Sequence, residues 1–202
     1  VNHGIRKNSI IESERVKKIL KKHHILLKIL NNKKKITNNI QHNARKVRYS
    51  LLNDECLKKK ISLILMGHHK DDQIETFFLR LMRGAGLKGL KSIPDSRLLS
   101  RATLIRPLLK NTKTEIEAYA LEHKLVAIQD SSNYDVSYDR NFLRHRLLPI
   151  LESRWPGYRR TVSRAIGHFH EVDRILEESL PGNLYLVSQC GDPGLSISAM
   201  KE

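Results

Sequence analysis

Residues 63–76 read Leu63-Ile64-Leu65-Met66-Gly67-His68-His69-Lys70-Asp71-Asp72-Gln73-Ile74-Glu75-Thr76. Four apolar residues, enough for a buried strand, pass through a glycine and two histidines into a helical pattern that runs from Asp71 to Met82. Asp71 and Asp72 fall in the first helical turn, where the helix dipole favours carboxylates and backbone N–H groups can meet a phosphate. Asp72, Glu75 and Thr76 stand at i, i+3 and i+4 and so are helical neighbours. His68 and His69 lie where the strand leaves its sheet, the place where α/β folds bind ligands. Two other readings stay open. One is a well-capped helix beside incidental histidines; the other is a metal site, for which the spacing supplies no set of three or four ligands.

Upstream, residues 1–4 read as a strand end turning at Gly4, and Ser9 to Glu12 as a capping box. Ile10, Ile11, Val16, Ile19 and Leu20 then make a helical stripe. Residues 25–30 form an apolar run of strand length, 31–39 a polar loop, and 40–57 a helix with Ala44, Val47, Leu51 and Leu52 on one side. Downstream come the turn Gly84-Ala85-Gly86, whose glycines suit a helix end with positive φ, and a strand that ends in Arg106-Pro107. A helix from Thr112 to His123 comes next, then a polar loop, then helix from Arg140 to Leu180 broken at Trp155-Pro156-Gly157. Strands alternating with helices imply an α/β fold with a doubly wound, mainly parallel sheet, followed here by a helical segment. The expected organisation is a catalytic domain over 1–150, a helical linker over 151–182 and the start of a second domain over 183–202.

The net charge is +16, and residues 1–60 hold 17 Lys and Arg against 4 Asp and Glu. Such density attracts polyanions, although a solvated lysine-rich surface has the same composition. Cys56 and Cys190 form neither a CxxC pair nor a zinc pattern, so a reducing cytoplasm is expected. No apolar run approaches the roughly 20 residues that span a bilayer, so no membrane partner is expected. The chain starts at Val1 and stops at Glu202 without a terminating signal, and both ends are expected to be cuts in a longer protein.

Arginines mark the remaining motifs. Arg80 and Arg83 flank the helix end before Gly84, and Arg106 ends a strand, where pairing with a carboxylate is the commoner role. Asp130-Ser131-Ser132-Asn133-Tyr134 to Asp139-Arg140-Asn141-Phe142-Leu143-Arg144 opens the last helical region. Asp139 could cap that helix, with Arg140 and Arg144 on a solvated face or paired to Asp130, Asp135 or Asp139. Alternatively the two arginines grip phosphates while Tyr134 and Tyr138 offer stacking surfaces.

Together these motifs resemble the tRNA(Ile)-lysidine synthases. The family pattern HHxDDQxETxxxRxxRGxG is met by His68, His69, Asp71, Asp72, Gln73, Glu75, Thr76, Arg80, Arg83, Gly84 and Gly86. LIRPLL is met from Leu104 to Leu109, and DxSNxxxxYxRNxxRxxLLP from Asp130 to Pro149. His3-Gly4-Ile5-Arg6 resembles HGLR, and Ala44-Arg45 to Arg48-Tyr49 resembles ARxxRY.

The resemblance implies a PP-loop ATP pyrophosphatase fold using ATP and Mg²⁺. It implies ligation of free L-lysine to C2 of the wobble cytidine of tRNA(Ile) with a CAU anticodon, with a homodimer left open. It makes His68, Asp71, Asp72, Glu75 and Thr76 candidates for an ATP pocket. Arg80, Arg83, Arg106, Arg140 and Arg144 become candidates for phosphate or tRNA contacts. No residue is assigned as catalytic and none as a metal ligand. The family's first strand and SGGxDS loop would precede Val1, so an inactive tRNA-binding remnant is the alternative. The related 2-thiocytidine synthases need CxxC pairs that this chain lacks.

Overall fold

The computed structural model describes residues 1–5, 9–32, 36–38, 40–128, 131–179, 185–187 and 193–195. They form two compact units, one of Val1–Asp72 with Pro94–Asp135 and one of Gln73–Ile93 with Val136–Glu202.

The first unit is built on a three-stranded sheet in the order β1-β3-β2, with β1 Leu63–Leu65, β2 Ser96–Leu99 and β3 Ala102–Ile105. β1 runs parallel to β3, from Leu63 opposite Thr103 to Leu65 opposite Ile105. β2 joins antiparallel, as a hairpin closed through Ser100 at φ 53° and Arg101. The helices around a parallel pair agree with the sequence reading; the hairpin strand adds an antiparallel edge that it did not anticipate. Residues 96–99 lack an alternating pattern, and Leu98 stays exposed.

Helix α2 (Ile40–Lys59) packs on this sheet. Tyr49, Leu52 and Cys56 recur at helical spacing and meet Ile64, Ala102 and Leu104. β1 is less buried than its four apolar residues suggest. Ile64 faces α2, whereas Leu63 and Leu65 are 47% and 64% exposed, because alternate side chains point to opposite faces.

Helix α1 (Ser9–Lys22) has no buried residue, and Ile10 and Ile11 are exposed while Val16, Ile19 and Leu20 are half-buried. Ser9 is itself the first helical residue of α1, its carbonyl accepts the Ser13 hydroxyl at 2.5 Å, and residues 6–8 lie outside the described residues. The run 25–30 is extended but joins no ladder. It ends in an isolated parallel bridge between Asn2 and Asn31, with the Asn2 N–H donating to the Leu30 carbonyl at 2.8 Å.

Helix α3 (Lys70–Met82) crosses from the first unit into the second between Asp72 and Gln73. It ends at Gly84, whose φ of +70° is the left-handed conformation that glycine adopts freely. Gly86 differs from the expectation: at φ −75° it is extended and precedes the short helix α4 (Leu87–Leu90). In the first unit, Thr112 caps α5 (Lys113–Glu122) with a full capping box. Its hydroxyl accepts the Glu115 N–H, and the Glu115 carboxylate accepts the Thr112 N–H.

The second unit continues with α6 (Asp139–Phe142), a π turn (Leu143–Leu147), α7 (Leu148–Arg154) and α8 (Tyr158–Ser179). The break between α7 and α8 falls at Trp155-Pro156-Gly157, as the sequence suggests. Ile74, Leu148 and Tyr158 form the core, against Phe78, Leu151 and Val162. Two side chains of α3 hold the segment after α4. Gln73 exchanges both hydrogen bonds with the Ile93 backbone, at 2.6 and 2.9 Å, and Arg80 donates to the carbonyls of Gly89 and Ser92, both at 2.8 Å. Short strands β4 (Tyr185–Val187) and β5 (Pro193–Leu195) pair antiparallel; the rest of 183–202 lies outside the described residues.

Leu104 has no exposed surface. Leu104→Ala should therefore cost about 2–5 kcal/mol of unfolding free energy, read from urea denaturation monitored by far-ultraviolet circular dichroism. A loss below about 1 kcal/mol would show that this sheet is not the core of its unit.

Candidate functional site

In the first unit the carboxyl ends of the parallel strands β1 and β3 lead to the starts of α3 and α5. The Met66 N–H donates to the Ile105 carbonyl at 2.9 Å and carries the pairing past β1. Beyond it the two helix starts are tied directly. The Lys70 N–H donates to the Asn111 carbonyl at 2.8 Å, and the Lys113 N–H donates to the Asp71 carboxylate at 2.7 Å. Asp72 turns back and accepts the His69 N–H at 3.0 Å.

The His69 ring lies beside both carboxylates, with Nδ1 3.6 Å from Asp71 and Nε2 3.4 Å from Asp72. All three side chains are only about one-sixth exposed. His68 is half-buried just after the strand. His69, Asp71 and Asp72 thus stand together where the starts of α3 and α5 meet, with His68 beside them in the chain. Each N-terminus carries about half a positive charge, but two carboxylates already sit there. A phosphate arriving alone would be repelled by them; a phosphate carrying a cation would not.

Two groups of this unit are perturbed. Hydrogen bonds from the Thr112 backbone and hydroxyl hold the Glu115 carboxyl below its ordinary range. Burial, then the Arg48 charge, pushes the His3 imidazole below its ordinary value. Arg106 is 3% exposed, and its guanidinium donates to the Pro94 carbonyl at 2.5 Å. That partner is a carbonyl in place of the carboxylate expected for it.

In the second unit Glu75 has no exposed surface. Arg144 meets it with a two-pronged contact, Nε to Oε1 at 2.7 Å and Nη2 to Oε2 at 3.0 Å. Arg140 places Nε 3.4 Å from the same carboxylate and donates from Nη2 to the Thr76 hydroxyl at 2.8 Å. Arg140 and Arg144, four residues apart, thus meet one shared carboxylate, that of Glu75. Asp139 instead pairs with Arg83 at 3.1 Å on the exposed surface, and the capping residue of α6 is Tyr138. Asp130 lies outside the described residues. The sequence reading missed Gln73 as a clamp, and it missed the buried Asp173 that pairs with Lys91. An acidic residue amid the apolar positions of α8 was the available signal for the second.

Residues 1–151 match the model of the PP-loop domain. The chain belongs to the PP-loop family. It is similar to the tRNA(Ile)-lysidine synthase of Buchnera aphidicola subsp. Acyrthosiphon pisum, 37% identical over 202 residues that cover 100% of this chain and 45% of that protein. It is also similar to the tRNA(Ile)-lysidine synthase of Vibrio cholerae El Tor, 40% identical over 163 residues that cover 81% of this chain and 36% of that one. The chain therefore spans less than half the length of these relatives. Among solved structures, the U34-tRNA thiolase NcsA of Methanococcus maripaludis with its [4Fe-4S] cluster superposes with a TM-score of 0.67. It is 20% identical, and the match covers 96% of this chain and 64% of that one, a likeness of fold.

The geometry of this PP-loop chain fixes two expected outcomes. Glu75→Ala leaves two guanidiniums facing a buried hole. It should cost about 3–5 kcal/mol in urea titrations, and a loss under about 1 kcal/mol would mean that the arginines are not held by this carboxylate. Glu115 has a lowered pKa in the folded state, so its contribution is present above the ordinary value near 4.5 and is lost as pH falls through the folded value. Glu115→Gln should flatten the decline of thermal stability below that pH; an unchanged acid limb would remove Glu115 from its cause.

Proposed function

We propose that this chain is part of an enzyme that ligates L-lysine to C2 of the wobble cytidine of tRNA(Ile) with a CAU anticodon. In the reaction ATP adenylates the C2 carbonyl oxygen, and the lysine ε-amine displaces AMP to leave lysidine. The carrying observation is the 37% identity to a tRNA(Ile)-lysidine synthase over all 202 residues. The helix starts at the carboxyl ends of β1 and β3 support it, because α/β folds bind nucleotides there.

His68, Asp71 and Asp72 are the residues we assign to the border of the ATP pocket. Mg²⁺ in nucleotide sites is usually held by one or two carboxylates together with phosphates, and Asp71 and Asp72 are the carboxylates of that kind here. When bound, the ion would neutralise phosphate charge. Glu75 and Thr76 take a supporting part in this proposal: they hold Arg140 and Arg144, which contact phosphate or tRNA. Arg80 and Arg106 fix backbone carbonyls, while Arg83 is exposed enough to reach a ligand. The proposed setting is cytoplasmic, with residues 1–150 as the catalytic domain, 151–182 as a linker and 183–202 as the beginning of a further domain.

The test is lysidine formation, measured by mass spectrometry of digested tRNA(Ile), with the full-length protein that contains this chain. Mass gain by one lysine at the wobble cytidine, dependent on ATP, is the expected result. Turnover without that product would reject the reading. In the same assay Arg140→Lys with Arg144→Lys keeps both charges but loses the planar fork. With thermal stability unchanged, activity should fall more than about tenfold, or roughly 1.4 kcal/mol of transition-state stabilisation. Activity within a factor of two of the parent would leave these arginines a purely structural role.

A further inference from the structure

Tyr49 of α2 carries two arginines on one ring. The guanidinium carbon of Arg45 lies 5.1 Å from the ring centroid and that of Arg97, from β2, 4.8 Å. Tyr49 is partly buried against the sheet core, so the ring is a fixed platform. Both arginines are exposed. Neither forms an ion pair with a carboxylate among the described residues. Lys46, next to Arg45 on α2, and Arg101, four residues beyond Arg97 in the β2–β3 turn, are also exposed.

Two like charges repel, and a protein normally separates them or places a carboxylate between them. Here cation–π attraction to a single ring gathers them and leaves the charge facing water. The planar fork of each guanidinium suits phosphate oxygens, and stacking on the tyrosine reduces the side-chain freedom lost on binding. The ring is already used by the arginines, so the contact is to backbone phosphate, not to a stacked base.

We propose that Arg45, Tyr49 and Arg97 form a phosphate clamp that binds the RNA backbone at adjoining phosphates. This rests on the tRNA reading above and assigns one side chain of β2 and two of α2 to the contact. Phosphates in one RNA strand supply the paired anions that the two guanidiniums lack.

The experiment measures binding of the full-length protein that contains this chain to unmodified tRNA(Ile) transcript by fluorescence anisotropy across a salt series. Arg45→Gln with Arg97→Gln is compared with a control that removes the same charge elsewhere, Arg160→Gln with Arg164→Gln on exposed α8 positions. The clamp variant should lose about tenfold in affinity at roughly 100 mM salt, and its log–log salt slope should shrink by about 1.4–1.8, two phosphate contacts. The control should lose under about threefold, with a slope change below roughly 0.5. Arg45→Lys with Arg97→Lys keeps the charge and should recover most of the slope but not all of the affinity. Equal losses in the clamp and control variants would overturn the clamp and leave only diffuse attraction. A parent protein that binds no tRNA at the lowest salt would overturn the tRNA reading itself, a result distinct from the first. Circular dichroism melts of each variant keep unfolding apart from loss of contact. If the Gln pair unfolds, a Lys pair matching the parent in both affinity and slope overturns the clamp.

Discussion

A carboxylate with no exposed surface governs the second unit. Moving a lone ionised group out of water costs several kcal/mol even after relaxation, so Glu75 cannot be buried unless cations come with it. Arg144 arrives with two hydrogen bonds and Arg140 with a longer contact, from positions 69 and 65 residues further along the chain. The apolar core repeats the same registration. Ile74 neighbours Glu75, Leu148 lies one turn beyond Arg144, and the two apolar side chains belong to one cluster. Charge matching and packing therefore select the same seating of α6 and α7 on α3. Exposed pairs such as Arg83 with Asp139 are worth at most about 1 kcal/mol and do not compete.

The first unit uses a smaller device. Asp71 accepts the first amide of α5 while standing in the first turn of α3, so one carboxylate serves two helix starts. A charge-assisted hydrogen bond of this kind is worth about 1.5–3 kcal/mol, and the Thr112 cap adds about 1 kcal/mol. These magnitudes are below that of the buried cluster.

Much of this was legible in the sequence, for identifiable reasons. Helix α3, the Thr112 capping box and the break at Trp155-Pro156-Gly157 rest on local signals: spacing, cap chemistry and proline. The pairing of Arg140 and Arg144 with one anion was implied by their separation of four residues. Its identity was not, since Glu75 was a helical polar residue like its neighbours until the chain folded back 65 residues later. The extended run 25–30 misled because apolar residues of strand length mark a strand only if another strand lies alongside, a fact of tertiary structure. Leu63 and Leu65 do lie in a paired strand, but their exposure was not legible, because burial on the second face of a sheet depends on what packs there. Gly86 was read as left-handed because glycine permits positive φ; permission is not requirement, and its φ is −75°.

The π turn at Leu143–Leu147 is the remaining irregularity, and the buried cluster gives it a physical reason. An α-helix advances about 100° per residue, so its register is set by whichever contact is strongest. Arg140 and Arg144 must both point at Glu75, while Leu148 must enter the core beside Ile74 and Tyr158. A π turn closes hydrogen bonds at i→i+5 and so takes up an extra residue, which resets the rotation of α7 relative to α6. The helix before the turn thus answers to the carboxylate and the helix after it to the apolar core. Pro149, in the first turn of α7, lacks an N–H to give to the preceding turn, so the wide turn loses no hydrogen bond there that a regular helix would have kept. Arg140 is the more open of the two arginines, its side chain 37% exposed against 24% for Arg144, so the end of the cluster that meets solvent is its arginine at the start of α6.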